Sequence, residues 1–217
     1  MVVLSGLATL LYRVTGQDDL LVGSPVANRA VVELEPTIGF VSNTLVFRAR
    51  TGGNPSFREL LARVREMALD VYSHQNVPFE KIVEAVAPER EPGVNPLFQV
   101  NLRVSTAERA TLRLPGLTVT PMKVDNGLAR FDLALDLDVL EDRVAGYFRY
   151  NRDIFEPETI ARLAADFVEV LRTAVASPGS RLLSLELAGQ WNGSAPAGGG
   201  LRNFRASGRR DPVPPTS

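Results

Sequence analysis

The amino-acid sequence predicts an α+β fold in which a mixed sheet has helices packed on one side. Residues 57–71 place apolar side chains at helical spacing, whereas residues 131–139 alternate apolar and polar side chains with the period of a strand. Segments of these two kinds do not follow one another in regular alternation. Because parallel α/β folds require that alternation, its absence favours a mixed sheet with helices on one face.

Composition and charge exclude several classes of function. The chain has 217 residues, which suits one large domain or one lobe of a larger protein. A formal net charge of -1 provides no basic surface for nucleic acid, and the absence of cysteine excludes disulfides and a cysteine nucleophile. No apolar run approaches the roughly 18 residues that cross a membrane, and no basic leader precedes the first helix. We therefore expect a cytoplasmic protein without membrane or nucleic-acid partners.

The first elements are a helix, a short strand and a loop. Apolar residues at helical spacing begin at Val3, and Gly16 ends that helix. Leu20–Val22 is predicted to be a short buried strand. A loop follows from Pro25 to Pro36, two prolines that fix the backbone at either end. Arg29 is the polar anchor that we expect in this loop.

A second strand is predicted over residues 38–47, with the polar pair Asn43 and Thr44 in its middle. Burying an amide and a hydroxyl among apolar neighbours costs a few kcal/mol unless both are hydrogen-bonded. The pair is therefore either a structural linchpin of the core or part of a site, and we favour the linchpin.

The later elements continue the mixed pattern. Ser56 and Glu59 fit a capping box at the start of the helix over 57–71. The remaining elements predicted, in order, are a helix with Pro78 in its first turn, a strand over 97–104, a hairpin over 112–124, strands over 131–139 and 144–150, and a helix over 157–175. Residues 187–217, rich in glycine, proline and arginine, are predicted to be a linker and a disordered tail.

Two sets of residues are candidates for catalysis or metal binding. His74 is the only histidine and hence the first candidate for a general base. No serine or carboxylate lies at a spacing that suggests a dyad, so a structural or exposed role is favoured. Asp132, Asp136 and Asp138 share one strand face and could ligate a hard cation. A solvated strand face is the simpler explanation, and we expect no metal site.

Four short motifs are more specific. Residues 23–29 read G-S-P-V-A-N-R, residues 38–44 read I-G-F-V-S-N-T with Arg48 after them, residues 74–80 read H-Q-N-V-P-F-E, and residues 95–99 read N-P-L-F-Q. Together they resemble the motifs G-x-P-x-x-x-R, I-G-x-F-V-N-T-x-x-x-R, H-Q-D-x-P-F-E and R-x-x-S-x-x-P-L-F-Q of non-ribosomal peptide synthetase condensation domains, in that family's order and spacing. Asn76 stands where the family usually has an acid, and Val94 and Asn95 stand where Ser-Arg would be common.

The resemblance implies a chloramphenicol-acetyltransferase-like lobe. On this basis residues 1–186 are expected to be the C-terminal lobe of a condensation domain, truncated at its N-terminus, and residues 187–217 the linker and tail. The residues expected to line the substrate tunnel or to hold the structural motifs are Arg29, Gly39, Phe40, Asn43, Thr44, Arg48, His74, Gln75, Pro78, Phe79, Glu80, Asn95 and Pro96.

The resemblance also implies a reaction. In the family, the amine of one carrier-bound aminoacyl thioester attacks a second thioester and forms a peptide bond. Both substrates are held on phosphopantetheine arms of peptidyl carrier proteins, so no cofactor is expected to bind this chain directly. The further partners implied are an N-terminal condensation lobe and a downstream adenylation domain. The family's catalytic signature, H-H-x-x-x-D-G, does not occur in the sequence, so no catalytic residue is assigned and the chain is expected to be inactive alone.

Three alternatives stay open at this point. An epimerisation domain shares the fold, and its lobe would look the same. A non-catalytic module could dock a carrier protein without turnover. Two such chains could also assemble into a stand-alone acyltransferase.

Overall fold

The computed structural model describes residues 1–29, 32–39, 41–88, 94–106, 114, 116–120, 122 and 127–189. Its helices are α1 (Val2–Thr15), α2 (Phe57–Ser73), α3 (Phe79–Val86) and α4 (Pro157–Ala176). Its strands are β1 (Asp19–Val26), β2 (Asn43–Arg50), β3 (Val100–Ser105), β4 (Leu133–Val139) and β5 (Val144–Tyr150). None of the helices in these ranges is long and apolar enough to cross a membrane.

The five strands form one mixed sheet in the order β2-β1-β3-β4-β5. The outer pairs β1–β2 and β4–β5 are antiparallel, and the inner pairs β1–β3 and β3–β4 are parallel. The α+β class with a mixed sheet is therefore confirmed.

Helix boundaries follow the expected local chemistry. Gly16 ends α1 with a positive φ of 71°, a backbone conformation that glycine adopts without steric cost. The capping box of α2 is confirmed, because Ser56 and Glu59 each accept the other's backbone N–H. Pro78 is the residue before α3 rather than part of its first turn. Pro157 begins α4, where a missing N–H has no cost.

The main core lies between one face of the sheet and the three long helices. Alternate residues of β1 and β2, such as Leu20, Val22 and Phe47, are buried in the same cluster as apolar residues of α1, α2 and α4. The short helix α3 packs elsewhere. It contributes Val83 to a second, smaller cluster that includes Leu21, which alternates with the core residues of β1 and so points to the other face.

The second strand begins later than the sequence suggests. We predicted a strand over 38–47, but β2 begins at Asn43, and Ile38 is fully exposed. Asn43 pairs with Val26, the last residue of β1, so the preceding residues have no strand beside them in that ladder. Asn43 and Thr44 are consequently at the start of the strand and half-buried, not in the middle of a buried one.

Two other strands differ in extent. β1 runs from Asp19 to Val26, well beyond the predicted Leu20–Val22. Its pairing with β3 involves only Val22 and Gly23, so the missing N–H of Pro25 leaves no gap in that ladder. β3 covers Val100–Ser105, later than the predicted 97–104.

Of the predicted hairpin over 112–124, the structure describes a tight turn in which the Leu117 N–H donates to the Leu114 carbonyl at 3.1 Å. Most of the remainder lies outside the described residues.

Candidate functional site

The side chain of Asn43 joins β2 to the turn between α2 and α3. Its Nδ2 donates to the carbonyl oxygens of Gln75 at 2.9 Å and Val77 at 2.7 Å. Its Oδ1 accepts the backbone N–H of Phe79 at 3.1 Å, at the start of α3. One amide therefore satisfies three backbone groups that lie outside regular helix bonding. We call this arrangement the Asn43 clamp.

A stack of aromatic rings continues from the clamp to the sheet. The Phe79 ring meets the edge of Phe98 with centroids 5.8 Å apart, and Phe98 lies 5.4 Å from Phe131. Beneath Phe98 lies Gly23 of β1. A Cβ atom at that position would come within 2.0 Å of the Phe98 ring. Glycine is thus required there by close approach, as is common for a glycine within a strand.

The turn before β3 is built around Asn95. Its Oδ1 accepts the backbone N–H groups of Leu97 and Phe98, both at 3.2 Å, as an asparagine does in a side-chain-mediated turn. Its carbonyl oxygen accepts from Gln99 Nε2 at 3.0 Å. The turn fixes the backbone of Phe98 and hence the position of its ring over Gly23.

Arg29 closes the loop between β1 and β2. Its guanidinium donates to the carbonyl oxygens of Glu35 at 3.0 Å and Thr37 at 2.8 Å. The predicted role of Arg29 as the polar anchor of this loop is confirmed. Gly39 is exposed just beyond the anchored segment.

These contacts bring together segments that are far apart in the sequence. Asn43 bonds to the segment 74–80, Phe79 of that segment contacts Phe98 of 95–99, and Phe98 lies over Gly23 of 23–29. A family model described as the condensation domain matches residues 1–192, well over half of the chain. The chain belongs to the condensation-domain family.

Curated relatives and solved structures agree with that family. One of the linear gramicidin synthase proteins of Brevibacillus parabrevis is 38% identical over 208 residues, which is 91% of this chain and 3% of that protein. Chondramide synthase cmdD of Chondromyces crocatus is 40% identical over 184 residues, 85% of this chain and 5% of that protein. This chain therefore spans only a small part of these relatives.

Two solved structures show the fold. The X-domain from teicoplanin biosynthesis is 32% identical, with a TM-score of 0.76, over 86% of this chain and 43% of that chain. The first condensation domain of the CDA synthetase has a TM-score of 0.67 at 22% identity, over 87% of this chain and 42% of that chain. This chain thus spans less than half of either.

The other condensation-motif residues lie at or near the surface. Thr44 is half-buried beside Pro25 of β1, and Pro78 and Glu80 are exposed at the start of α3. Pro96 lies in the turn before β3, and Phe40 lies outside the described residues.

Arg48 makes a two-pronged ion pair with Asp19 across β1 and β2, at 2.8 and 2.6 Å. The hydrogen bonds from Arg48 lower the pKa of the Asp19 carboxyl below its usual value.

His74 is exposed at the end of α2, with 69% of its side chain accessible. We predicted no dyad partner, yet Nδ1 lies 2.9 Å from Ser73 Oγ and 3.7 Å from Asp70 Oδ1. All three groups belong to the last turn of one helix and are open to water. The same Nδ1 lies 2.9 Å from the Asp70 carbonyl oxygen. This geometry describes the end of a helix and agrees with the structural or exposed role.

The sheet carries a charged network that the sequence pattern did not reveal. We expected Asp136 on a solvated strand face, but it is only 2% exposed. Arg103 Nε on β3 donates to its Oδ1 at 2.6 Å, and Arg149 Nε on β5 donates to its Oδ2 at 2.9 Å. Asp138 extends the network with a contact of 3.3 Å to Arg103. The solvated-face interpretation is therefore wrong for Asp136, because two arginines from neighbouring strands cover it.

The cation alternative gains no support from this geometry. Within the described ranges, no group of three or more acidic or histidine side chains could hold a metal ion. Asp136 already has two guanidinium partners. Asp132, just before β4, has its pKa raised by partial burial.

Proposed function

We propose that this chain is the C-terminal lobe of a condensation domain that, when complete, joins two carrier-bound thioesters through a peptide bond. In this proposal the lobe shapes and gates the substrate tunnel, and the catalytic signature H-H-x-x-x-D-G belongs to an N-terminal lobe. The observation that carries the proposal is the meeting of the four motifs around the Asn43 clamp. The match covers 86–87% of this chain but only 42–43% of each of the two solved chains. These shares also fit one lobe of a two-lobed domain.

The chemistry of the clamp supports a positioning role. Both polar atoms of the Asn43 amide, Nδ2 and Oδ1, are hydrogen-bonded to backbone groups. His74, the one histidine, lies outside the clamp on an exposed helix end. The lobe would therefore contribute by holding the tunnel wall and the two thioesters in place, which alone can lower the barrier of a two-substrate reaction substantially.

The partners follow from the same proposal. Peptidyl carrier proteins would present the phosphopantetheine-tethered substrates, an N-terminal lobe would complete the tunnel, and an adenylation domain would follow in the synthetase. The loop from Ser24 to Glu35, anchored by Arg29, would form the tunnel floor against the N-terminal lobe. No residue of this chain is proposed to bind a cofactor directly.

The test is a condensation assay with aminoacyl-loaded carrier proteins, with peptide product detected by mass spectrometry. This chain is assayed alone and with an N-terminal lobe supplied as a separate polypeptide. We expect product only when both lobes are present. Product from this chain alone would overturn the proposal and favour the stand-alone acyltransferase.

A second candidate is a docking module that binds a partner protein without turnover. It is favoured by the likeness to the teicoplanin X-domain, which has been solved in complex with OxyB and is 31% identical to this chain in that complex. Saturable binding of a loaded carrier protein, with no peptide product even when the N-terminal lobe is present, would favour this candidate. The epimerisation alternative predicts instead that deuterium from solvent enters the Cα position of a carrier-bound aminoacyl group.

A further inference from the structure

The outer edge of β2 presents unpaired backbone groups. β2 is the first strand in the sheet order and pairs only with β1 within the described part of the chain. The Thr51 N–H donates to the Asp18 carbonyl at 2.8 Å. In an antiparallel ladder, bonded positions recur at every second residue, so Ala49 and Phe47 also face β1. Val46, Arg48 and Arg50 then direct their N–H and C=O groups to the outside.

The position of Arg63 agrees with this assignment. Its Nη1 on α2 lies 3.4 Å from the carbonyl oxygen of Arg50 and 3.2 Å from that of Gly52. Arg63 therefore covers the last outward carbonyl of the strand, and the open edge runs back from Arg48 towards Thr44.

A groove of about 490 Å³ lies along this edge. It is lined by Arg48, Ala49 and Arg50 of β2 and by Arg63, Val64, Glu66 and Met67 of α2. Arg50 and Arg63 place positive charge beside Glu66 there, whereas the guanidinium of Arg48 is paired with Asp19 of β1. The groove thus combines a positive rim and an apolar floor with the outward backbone groups of Arg48, at the end of an edge that has no strand partner in the described part of the chain.

We propose that this groove binds an extended acidic segment of a partner protein, which adds a strand to the outer edge of β2. Outward N–H and C=O groups supply main-chain hydrogen bonds to such a segment. Arginine pairs well with carboxylates because its planar guanidinium can donate two parallel hydrogen bonds. A second copy of the same edge is disfavoured, since its arginines would face these arginines. The proposal goes beyond the tunnel role and does not involve the Asn43 clamp.

The test uses a fluorescein-labelled peptide of alternating Asp and Val, compared with one of alternating Lys and Val, in an anisotropy titration. We expect the Asp peptide to bind and the Lys peptide not to bind, and binding of the Asp peptide should weaken as salt is added. The double variant Arg50→Glu/Arg63→Glu should weaken binding by about tenfold or more, because it reverses the charge that faces the carboxylates. The matched double variant Arg58→Glu/Arg65→Glu makes the same charge change on α2 away from the groove and should leave binding nearly unchanged.

Backbone pairing is tested separately by amide hydrogen exchange on the unsubstituted chain. The amide protons of Val46 and Arg48 should exchange more slowly when the Asp peptide is added. Unchanged exchange at both amides would overturn strand addition. The acidic-segment proposal would be overturned if the Lys peptide bound equally well. It would also be overturned, in favour of a small-anion site, if inorganic phosphate displaced the Asp peptide at constant ionic strength.

Discussion

The side chain of Asn43 connects the strand β2 to the turn 74–78 by hydrogen bonds. Its amide donates twice and accepts once, always with backbone partners. An aspartate at this position could not donate, and a shorter side chain could not reach. The linchpin interpretation of the pair Asn43 and Thr44 therefore agrees with the structure for Asn43 only, and this residue lies at the start of the strand instead of in its interior.

Asn43→Ala should destabilise the fold by roughly 1–3 kcal/mol, because partly buried backbone groups lose their partners. The measurement is urea unfolding followed by circular dichroism. Thr44→Ala is the matched control, since the structure assigns no clamp bond to its hydroxyl, and it should cost less. A midpoint for Asn43→Ala equal to that of the unsubstituted chain would contradict the clamp.

Gly23→Ala should also destabilise the fold, by about 1–3 kcal/mol, because the added methyl would overlap the Phe98 ring. Gly179→Ala provides the control, since nothing lies within 4 Å of a Cβ at that position. The double variant Gly23→Ala/Phe98→Ala should show that the two substitutions are not additive, because removal of the ring removes the overlap. If the changes in unfolding free energy of the two single variants add strictly in urea unfolding, the overlap between a methyl at position 23 and the Phe98 ring is contradicted.

The ion pair between Asp19 and Arg48 makes a pH-dependent contribution. Because the folded-state pKa of Asp19 is lowered, the pair stabilises the fold at pH values above the ordinary aspartate pKa of about 3.9. This contribution should disappear as the pH falls through the lowered pKa. The exposed pair is expected to be worth no more than about 1 kcal/mol. Unfolding free energies of the parent chain and of Asp19→Asn should therefore differ near neutral pH and converge in acid. A constant difference across that range would exclude the linkage.

At the scale of elements, local signals predicted the structure more accurately than signals that depend on contacts between strands. The glycine that ends α1 and the capping box of α2 act within one helical turn, so the sequence contains all of their chemistry. The start of β2 depends on where β1 ends, which is a pairing between distant residues. The burial of Asp136 likewise depends on Arg103 and Arg149 from two other strands. An alternating pattern within β4 alone does not contain that information.

Asp136→Asn should destabilise β3, β4 and β5 together. The carboxylate accepts from two guanidinium groups while it is almost fully buried, and hydrogen bonds to charged groups contribute about 1.5–3 kcal/mol each. We expect a loss of roughly 2–3 kcal/mol in unfolding free energy, since both arginines are partly exposed and water would partly replace the carboxylate. Asp142→Asn is the control, because Asp142 is exposed and pairs only with its neighbour Arg143 in the described part of the chain. Equal effects of the two substitutions would argue against the network.

At the scale of the whole molecule, the motifs identified the family but not how their residues meet. The resemblance named residues in four separate segments, and the family match over residues 1–192 confirms it. Spacing along the chain could not show that Phe98 stacks between Phe79 and Phe131, or that Gly23 lies below it. Gly23 directly follows the predicted strand Leu20–Val22, and nothing in the sequence links it to the distant P-L-F-Q motif at residues 96–99.

Residues 181–189 make contacts with distant parts of the chain. Leu182 and Leu185 are fully buried, and their carbonyl oxygens accept from Arg13 of α1 at 3.1 and 2.6 Å. The Gly189 N–H donates to the buried Asp166 of α4 at 3.0 Å. Residues 181–189 therefore close the core between α1 and α4.

Two truncations test where the folded part of the chain ends. Removal of residues 190–217, which form most of the linker and tail predicted over 187–217, should leave the unfolding free energy unchanged within error. Removal of residues 181–217 should destabilise the fold severely, because burial of each leucine contributes about 1.5–3 kcal/mol and Arg13 loses both of its carbonyl partners. Both chains are compared with the full chain by urea unfolding and by the spread of amide resonances in an NMR spectrum. A chain that folds equally well without residues 181–189 would show that these residues are not part of the core, and the folded unit would then end with α4.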